Sequence, residues 1–117
     1  MKPNEEQIKE LWEWCGFRRL PEGKAGYHFE HCEKIMNWMQ PDYKDSYKSM
    51  PYLPEIDLNN LFKWAVPKLY SELSKAGKYY RMKWLYEAIE EAVIDNKDPA
   101  LALFWAIWEV IQNETEN

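Results

Sequence analysis

Two histidines and a cysteine lie within five residues of one another, and they are the side chains of this sequence best suited to bind a metal. His28, His31 and Cys32 are potential zinc ligands, and Cys15 lies further off. In a helix His28 and Cys32 would share a face, and in a strand Glu30 would join them. Zinc needs three or four converging ligands, and neither a CxxC motif nor a second histidine pair is present. We therefore predict no metal or other cofactor, with both cysteines as small buried side chains.

Catalytic motifs are also missing from the sequence. Two histidines three residues apart do not make a triad, and no G-x-S-x-G, P-loop or H-E-x-x-H pattern occurs. Glu87, Glu90 and Glu91 could act as paired acids, but this spacing on an amphipathic helix is typical of a solvated face. We therefore predict a protein that is not an enzyme and has no catalytic residues.

The uneven distribution of charge is the best hint of function. Residues 63–83 carry a local net charge of +5, and residues 84–117 carry one of −7. Aromatic residues are interspersed with the basic ones in residues 63–83. In single-stranded nucleic acid, the phosphates bind cationic side chains and the bases stack on aromatic rings. The candidate nucleic-acid contacts are Lys63, Lys68, Lys75, Lys78, Tyr79, Tyr80, Arg81 and Lys83. The alternative is that the basic stretch neutralises the acidic one, or reflects the preference for lysine near helix C-termini.

The composition fits one folded domain and limits its partners. The 117 residues are 46% hydrophobic and 16% aromatic with seven tryptophans, well above what a disordered chain carries. A net charge of −5 argues against generic binding to DNA or acidic membranes. Two cysteines and a polar start without a signal peptide favour a cytoplasmic protein with reduced thiols.

Apolar spacing and capping residues predict the elements that must position these side chains. Helices are expected at 4–15, 57–74, 80–94 and 98–112, with an ordered loop over 41–56. Asp57 and Asp98 are the expected N-caps of the second and last helices, and Pro99 suits a first helical position. Pro67 lies inside the second helix, where it would collide with the carbonyl of Lys63 and predicts a kink or an early stop.

A small antiparallel hairpin is predicted between the first two helices, within residues 17–39. Residues 27–31 alternate with period two, and residues 17–20 are their expected partner. Residues 35–39 could form another short strand, although a helix over residues 29–40 competes with it. The predicted fold class is therefore α+β, a mainly helical single domain with a small antiparallel hairpin.

The last helix is apolar nearly all round. Between residues 100 and 111 only Glu109 is polar, so its own domain or a second chain must cover several sides. It is too short for a bilayer, which takes ~20 apolar residues, and we expect no membrane contact. Aromatic residues are enriched in interfaces, which favours an interaction surface. The candidate interface residues are Trp14, Trp105, Ile107, Trp108 and Val110.

Four segments carry a resemblance to a known family: LWEWCGF at 11–17, LPEIDLNNLFKW at 53–64, AVPKL at 65–69 and the closing helix at 98–111. In these segments the chain resembles a family of small bacteriophage and prophage proteins, and its order of elements is similar to that of the phage α–β–α sandwich proteins. The resemblance implies a bacterial cytoplasm and an accessory phage role, and it transfers no functional residue. The sandwich pattern would have strands between residues 80 and 94, where the spacing here predicts a helix.

The sequence thus predicts a non-catalytic module that binds another protein or itself in a bacterial host. Nucleic-acid binding through residues 63–84 is the alternative. The predicted core comprises Leu11, Trp12, Phe17, Leu61, Phe62, Ala65, Leu69, Trp84, Ile89, Leu101, Phe104, Trp105 and Trp108.

Overall fold

The structure, a computed structural model, describes residues 1–19, 38–41 and 49–115. The chain divides into two compact units: a mixed unit, Glu5–Pro54, and a helical unit, Met1–Asn4 with Glu55–Asn117. The described residues are mainly helical with a small antiparallel sheet, so the predicted α+β class is confirmed. In these described ranges, no helix is long and apolar enough to cross a membrane.

The mixed unit begins with helix α1, Glu5–Cys15, where a helix over 4–15 is predicted. The helix ends at Gly16, whose φ of 109° suits a residue without a side chain. The amides of Gly16 and Phe17 donate to the carbonyls of Glu13 and Trp12, both at 3.0 Å, which is a Schellman cap. The buried residues of α1 are Leu11, Trp12 and Cys15.

A three-stranded antiparallel sheet follows, built of two-residue strands. These are β1 (Arg18–Arg19), β2 (Trp38–Met39) and β3 (Ser49–Met50), in the order β1-β2-β3. Arg18 lies opposite Met39, and Trp38 lies opposite Met50. Residues 27–31, the expected partner of residues 17–20, lie outside the described residues. Residues 38–39 are a strand and not the end of a helix, and β3 lies inside the predicted loop because two residues are too short to show a period.

The helix α2 covers residues 58–75 of the helical unit and changes its winding once. It consists of an α-helical turn Leu58–Asn60, a π turn Leu61–Ala65 and an α-helix Val66–Lys75. Asp57 caps it as predicted, accepting from the amide of Asn60 at 2.7 Å. The early stop predicted at Pro67 does not occur. The π turn just before it contains Lys63, whose carbonyl the proline ring would meet in a regular α-helix, and the wider turn relieves that collision.

The π turn also changes which residues of α2 face the core. Leu61 and Val66, five residues apart, are both buried, and Leu69 and Leu73 continue the buried stripe. Phe62 is predicted in the core but is 40% exposed. The prediction assumes 3.6 residues per turn throughout, and the extra residue moves Phe62 off the buried side.

The last two helices form an antiparallel pair. A 3₁₀ turn, Tyr79–Arg81, leads into α3, Met82–Ile94, so this region is helical as its spacing predicts. After a short turn, α4 runs over Pro99–Thr115 and packs along α3. Asp98 accepts from the amide of Ala100 at 2.9 Å and so caps α4 as predicted. The residues of α4 buried in the core include Leu103, Phe104, Ile107, Val110 and Ile111.

Candidate functional site

An open groove lies between α3 and α4. It encloses about 480 Å³, within the ~300–1,000 Å³ that small-molecule sites span. It is lined by Trp84, Ala88, Ala102, Trp105, Ala106, Glu109 and Val110. We call this site the Trp84–Trp105 groove.

Helical spacing explains how these residues reach one groove. On α3, Trp84 and Ala88 are four residues apart and therefore share a face. On α4, Ala102 and Ala106 have the same spacing, as do Trp105 and Glu109. The alanines are too small to fill the space between the helices, so a groove remains with an indole from each helix at its sides.

A hydrogen bond and a ring contact orient the side chain of Trp105. Its Nε1 donates to the carbonyl oxygen of Met1 at 2.7 Å, within the helical unit. Its ring meets the buried Phe104 edge to face, with centroids 5.1 Å apart. A half-buried indole with a fixed orientation can present a constant surface to a ligand, because few rotamers remain to be lost on binding.

Trp84 is more open, and its position corrects a prediction. The predicted core includes it, but it is 46% exposed because it faces the groove and not the side of α3 that carries the buried Leu85. The guanidinium carbon of Arg81 lies 5.7 Å from the centroid of its ring, within cation–π range. Trp84 therefore already interacts with a cation of its own chain and still presents nearly half of its surface.

The predicted interface residues separate into two groups. Trp105 and Trp108 are half-buried, and Trp108 stacks on Phe104 with centroids 6.0 Å apart. Ile107 and Val110 are 0% and 1% exposed and are therefore buried in the core of the chain, although Val110 also lines the groove. Periodicity could not separate these faces, because α4 is apolar on all of them. Trp14 is half-buried and lies in the mixed unit.

Sequence reasoning missed most of the groove. Ala88, Ala102 and Ala106 were not candidates, although the i, i+4 spacing of small residues on two neighbouring helices is visible in the sequence. Glu109 stood out only as the one polar residue of an apolar stretch. The missing information was which side of α4 its neighbours leave uncovered.

The candidate nucleic-acid contacts all lie in the helical unit. Tyr79 and Tyr80 are 57% and 61% exposed, and the ring of Tyr79 meets that of Tyr70 edge to face at 5.4 Å. The ammonium nitrogen of Lys63 lies 4.9 Å from the ring centroid of Trp64. The other basic candidates are Lys75 and Lys83, which are exposed, and Lys68, Lys78 and Arg81, which are half-buried.

Three of the candidate metal ligands, His28, His31 and Cys32, lie outside the described residues. Cys15 is buried in α1. Within residues 1–19, 38–41 and 49–115, no three His, Cys, Asp or Glu side chains are grouped so that they could hold a metal ion.

Comparisons with family models, with curated proteins and with solved structures find no match to this chain. The resemblance to phage proteins therefore stays a prediction.

Proposed function

We propose that this chain is a non-catalytic interaction module that binds a polypeptide in the Trp84–Trp105 groove. The polypeptide is another protein or a second copy of the chain, and the module serves as an accessory protein of a phage or prophage in the bacterial cytoplasm. The proposal rests on one observation, a groove with an exposed indole on one side and an oriented indole on the other.

The composition of the groove supports a polypeptide ligand. Tryptophan is enriched among the residues that contribute most to binding at protein interfaces. The alanines along the groove allow the backbone of a partner helix to approach closely, since helix separation depends on the side chains at the contact. A helix laid into an apolar groove is a recurring mode of peptide recognition.

Photocrosslinking inside the native host tests this proposal. Replacing Trp84 with p-benzoylphenylalanine should give light-dependent adducts with a polypeptide, because position 84 lines the groove. The matched control replaces Tyr86, which lies on the same helix and is 52% exposed, against 46% for Trp84. The mass of the adduct distinguishes a second copy from another protein. Equal adducts at the two positions, or none at position 84, would contradict the proposal.

A second candidate function, binding of single-stranded nucleic acid, is favoured by the exposed tyrosines. Tyr70, Tyr79 and Tyr80 are all more than half exposed, and Lys75 and Lys78 lie between the first two in sequence. Exposed rings near lysines are the elements that sequence-tolerant binding of single strands requires.

Fluorescence anisotropy with a labelled single-stranded oligonucleotide at low salt tests this second function. If it is correct, Tyr79→Ala and Tyr80→Ala should each weaken binding about tenfold, since a stacked base contributes ~1–3 kcal/mol. Tyr86→Ala removes an exposed ring outside residues 63–83 and should leave the affinity unchanged. Affinity should also fall as salt rises. An absence of binding at low salt would exclude this function.

A further inference from the structure

The Trp84–Trp105 groove contains a carboxylate in an otherwise uncharged lining. Among the described residues that line it, only Glu109 is ionisable. Glu109 is exposed on α4, and no cation of the described ranges pairs with it. A carboxylate beside two indoles is a site where a positive charge on a ligand would gain attraction from several groups at once.

The two indoles add to this preference for a cation. The face of a tryptophan ring carries negative potential, and cations are attracted to it within about 6 Å of the centroid. The approach of Arg81 to Trp84 at 5.7 Å is an example within the chain itself. Trp105, from the neighbouring helix, provides a second ring at the same groove.

The two helices that form the groove are mainly acidic, although Lys83 and Arg81, which lies beside Trp84, are positive. Residues 84–117, which include all of α4 and all of α3 except Met82 and Lys83, carry a local net charge of −7. Glu90 and Glu91 are exposed on α3, and Glu87, also exposed, pairs with Lys83 at 3.7 Å. Such a surface repels an anionic ligand and attracts a basic one.

We propose that the occupant of the groove is an amphipathic helix of another protein that places an arginine between Trp84 and Trp105, against Glu109. This inference rests on the proposed polypeptide-binding function and names the chemistry of the partner. Arginine fits better than lysine because a planar guanidinium stacks on indole faces while it pairs with a carboxylate. The alanines of the groove allow the backbone of the partner helix to come close enough for the arginine to reach.

A pair of peptides that differ in one charge tests the inference. Both are about 15 residues long, enough for several helical turns, with an apolar stripe and one central position. One peptide carries arginine there, and the other carries citrulline, which has nearly the same shape without the charge. The indole N–H resonances of Trp84 and Trp105, assigned with Trp→Phe variants, are followed by NMR during titration of the labelled protein.

We expect the arginine peptide to shift both indole resonances and to bind at least about tenfold more tightly than the citrulline peptide. Glu109→Gln should remove most of this difference. Glu90→Gln makes the same change of charge on α3 outside the groove and should preserve it.

Three results of the titration would contradict the arginine inference. Equal affinity for the two peptides, with both indoles shifted, would overturn the arginine inference and leave the proposed docking function standing. Failure of both peptides to shift the indoles would also overturn it, and the crosslinking result at position 84 would then decide the proposed function separately. A single-stranded oligonucleotide that shifts the same two resonances would overturn it too, since the groove would then accept an anion.

Discussion

Single residues in the mixed unit show how one side chain can join segments that are distant in sequence. Trp12 is fully buried, and its Nε1 donates to the carbonyl oxygen of Pro54 at 2.9 Å. Its ring also meets Phe17 edge to face at 5.5 Å. The bond to Pro54 fixes the last residue of the mixed unit against its first helix, 42 positions earlier.

Trp12→Phe should therefore lower the free energy of unfolding by about 2 kcal/mol. The ring contact would largely remain, but the carbonyl of Pro54 would lose its donor and a small cavity would open. Urea denaturation measures the change, with Trp84→Phe as the control because Trp84 is 46% exposed and should cost less than about 0.5 kcal/mol. Equal costs for the two variants would show that the hydrogen bond of Trp12 contributes little.

At the scale of elements, three helices end in the same way. Gly16, Gly77 and Asn96 have φ values of 109°, 72° and 56°, and each stands at the C-terminal end of a helix. After α2, the amide of Lys78 donates to the carbonyl oxygen of Leu73 at 2.8 Å. After α3, the amide of Lys97 donates to the carbonyl oxygen of Ala92 at 2.7 Å. In each of these Schellman caps, the helix ends at a residue that tolerates a positive φ.

The two glycine caps should respond differently to alanine. Gly77→Ala should cost about 1 kcal/mol, the local strain of a side chain at positive φ, because the added Cβ meets no atom within 4 Å beyond its immediate neighbours in the chain. Gly16→Ala should cost at least about 1 kcal/mol more, since its Cβ would lie 3.2 Å from Cβ of Pro41. Thermal or urea unfolding of the two variants checks the order. A larger loss for Gly77→Ala would contradict it.

Elements were predictable where a physical rule repeats along the sequence. The caps Asp57 and Asp98 and the buried side of α1 follow from residue type and spacing. The strands contain two residues each, which is too few for a period, and β1 pairs with β2 between residues that are 19 and 21 positions apart. Phe62 was assigned wrongly because a π turn has no sequence signal as clear as that of an α-helix.

At the scale of the whole molecule, the sequence predicts the composition of the candidate site better than its shape. The tryptophans of the last helix and the acidic charge of residues 84–117 are visible without a structure. The groove depends on how two helices pack and on which side of α4 remains uncovered. That is why Ile107 and Trp105 were indistinguishable in the sequence, although the structure buries the first and leaves the second at the groove.

The π turn of α2 has a consequence for how homologous sequences can differ in length. A π turn accommodates one residue more than an α-helical turn. Deletion of one residue within Leu61–Ala65 would therefore restore a regular α-helix. Leu69 and Leu73 would still face the same side of that helix. The same deletion would bring the ring of Pro67 back against the carbonyl four positions earlier. The extra residue and the proline are therefore coupled, and we expect an evolving lineage to gain or lose them together.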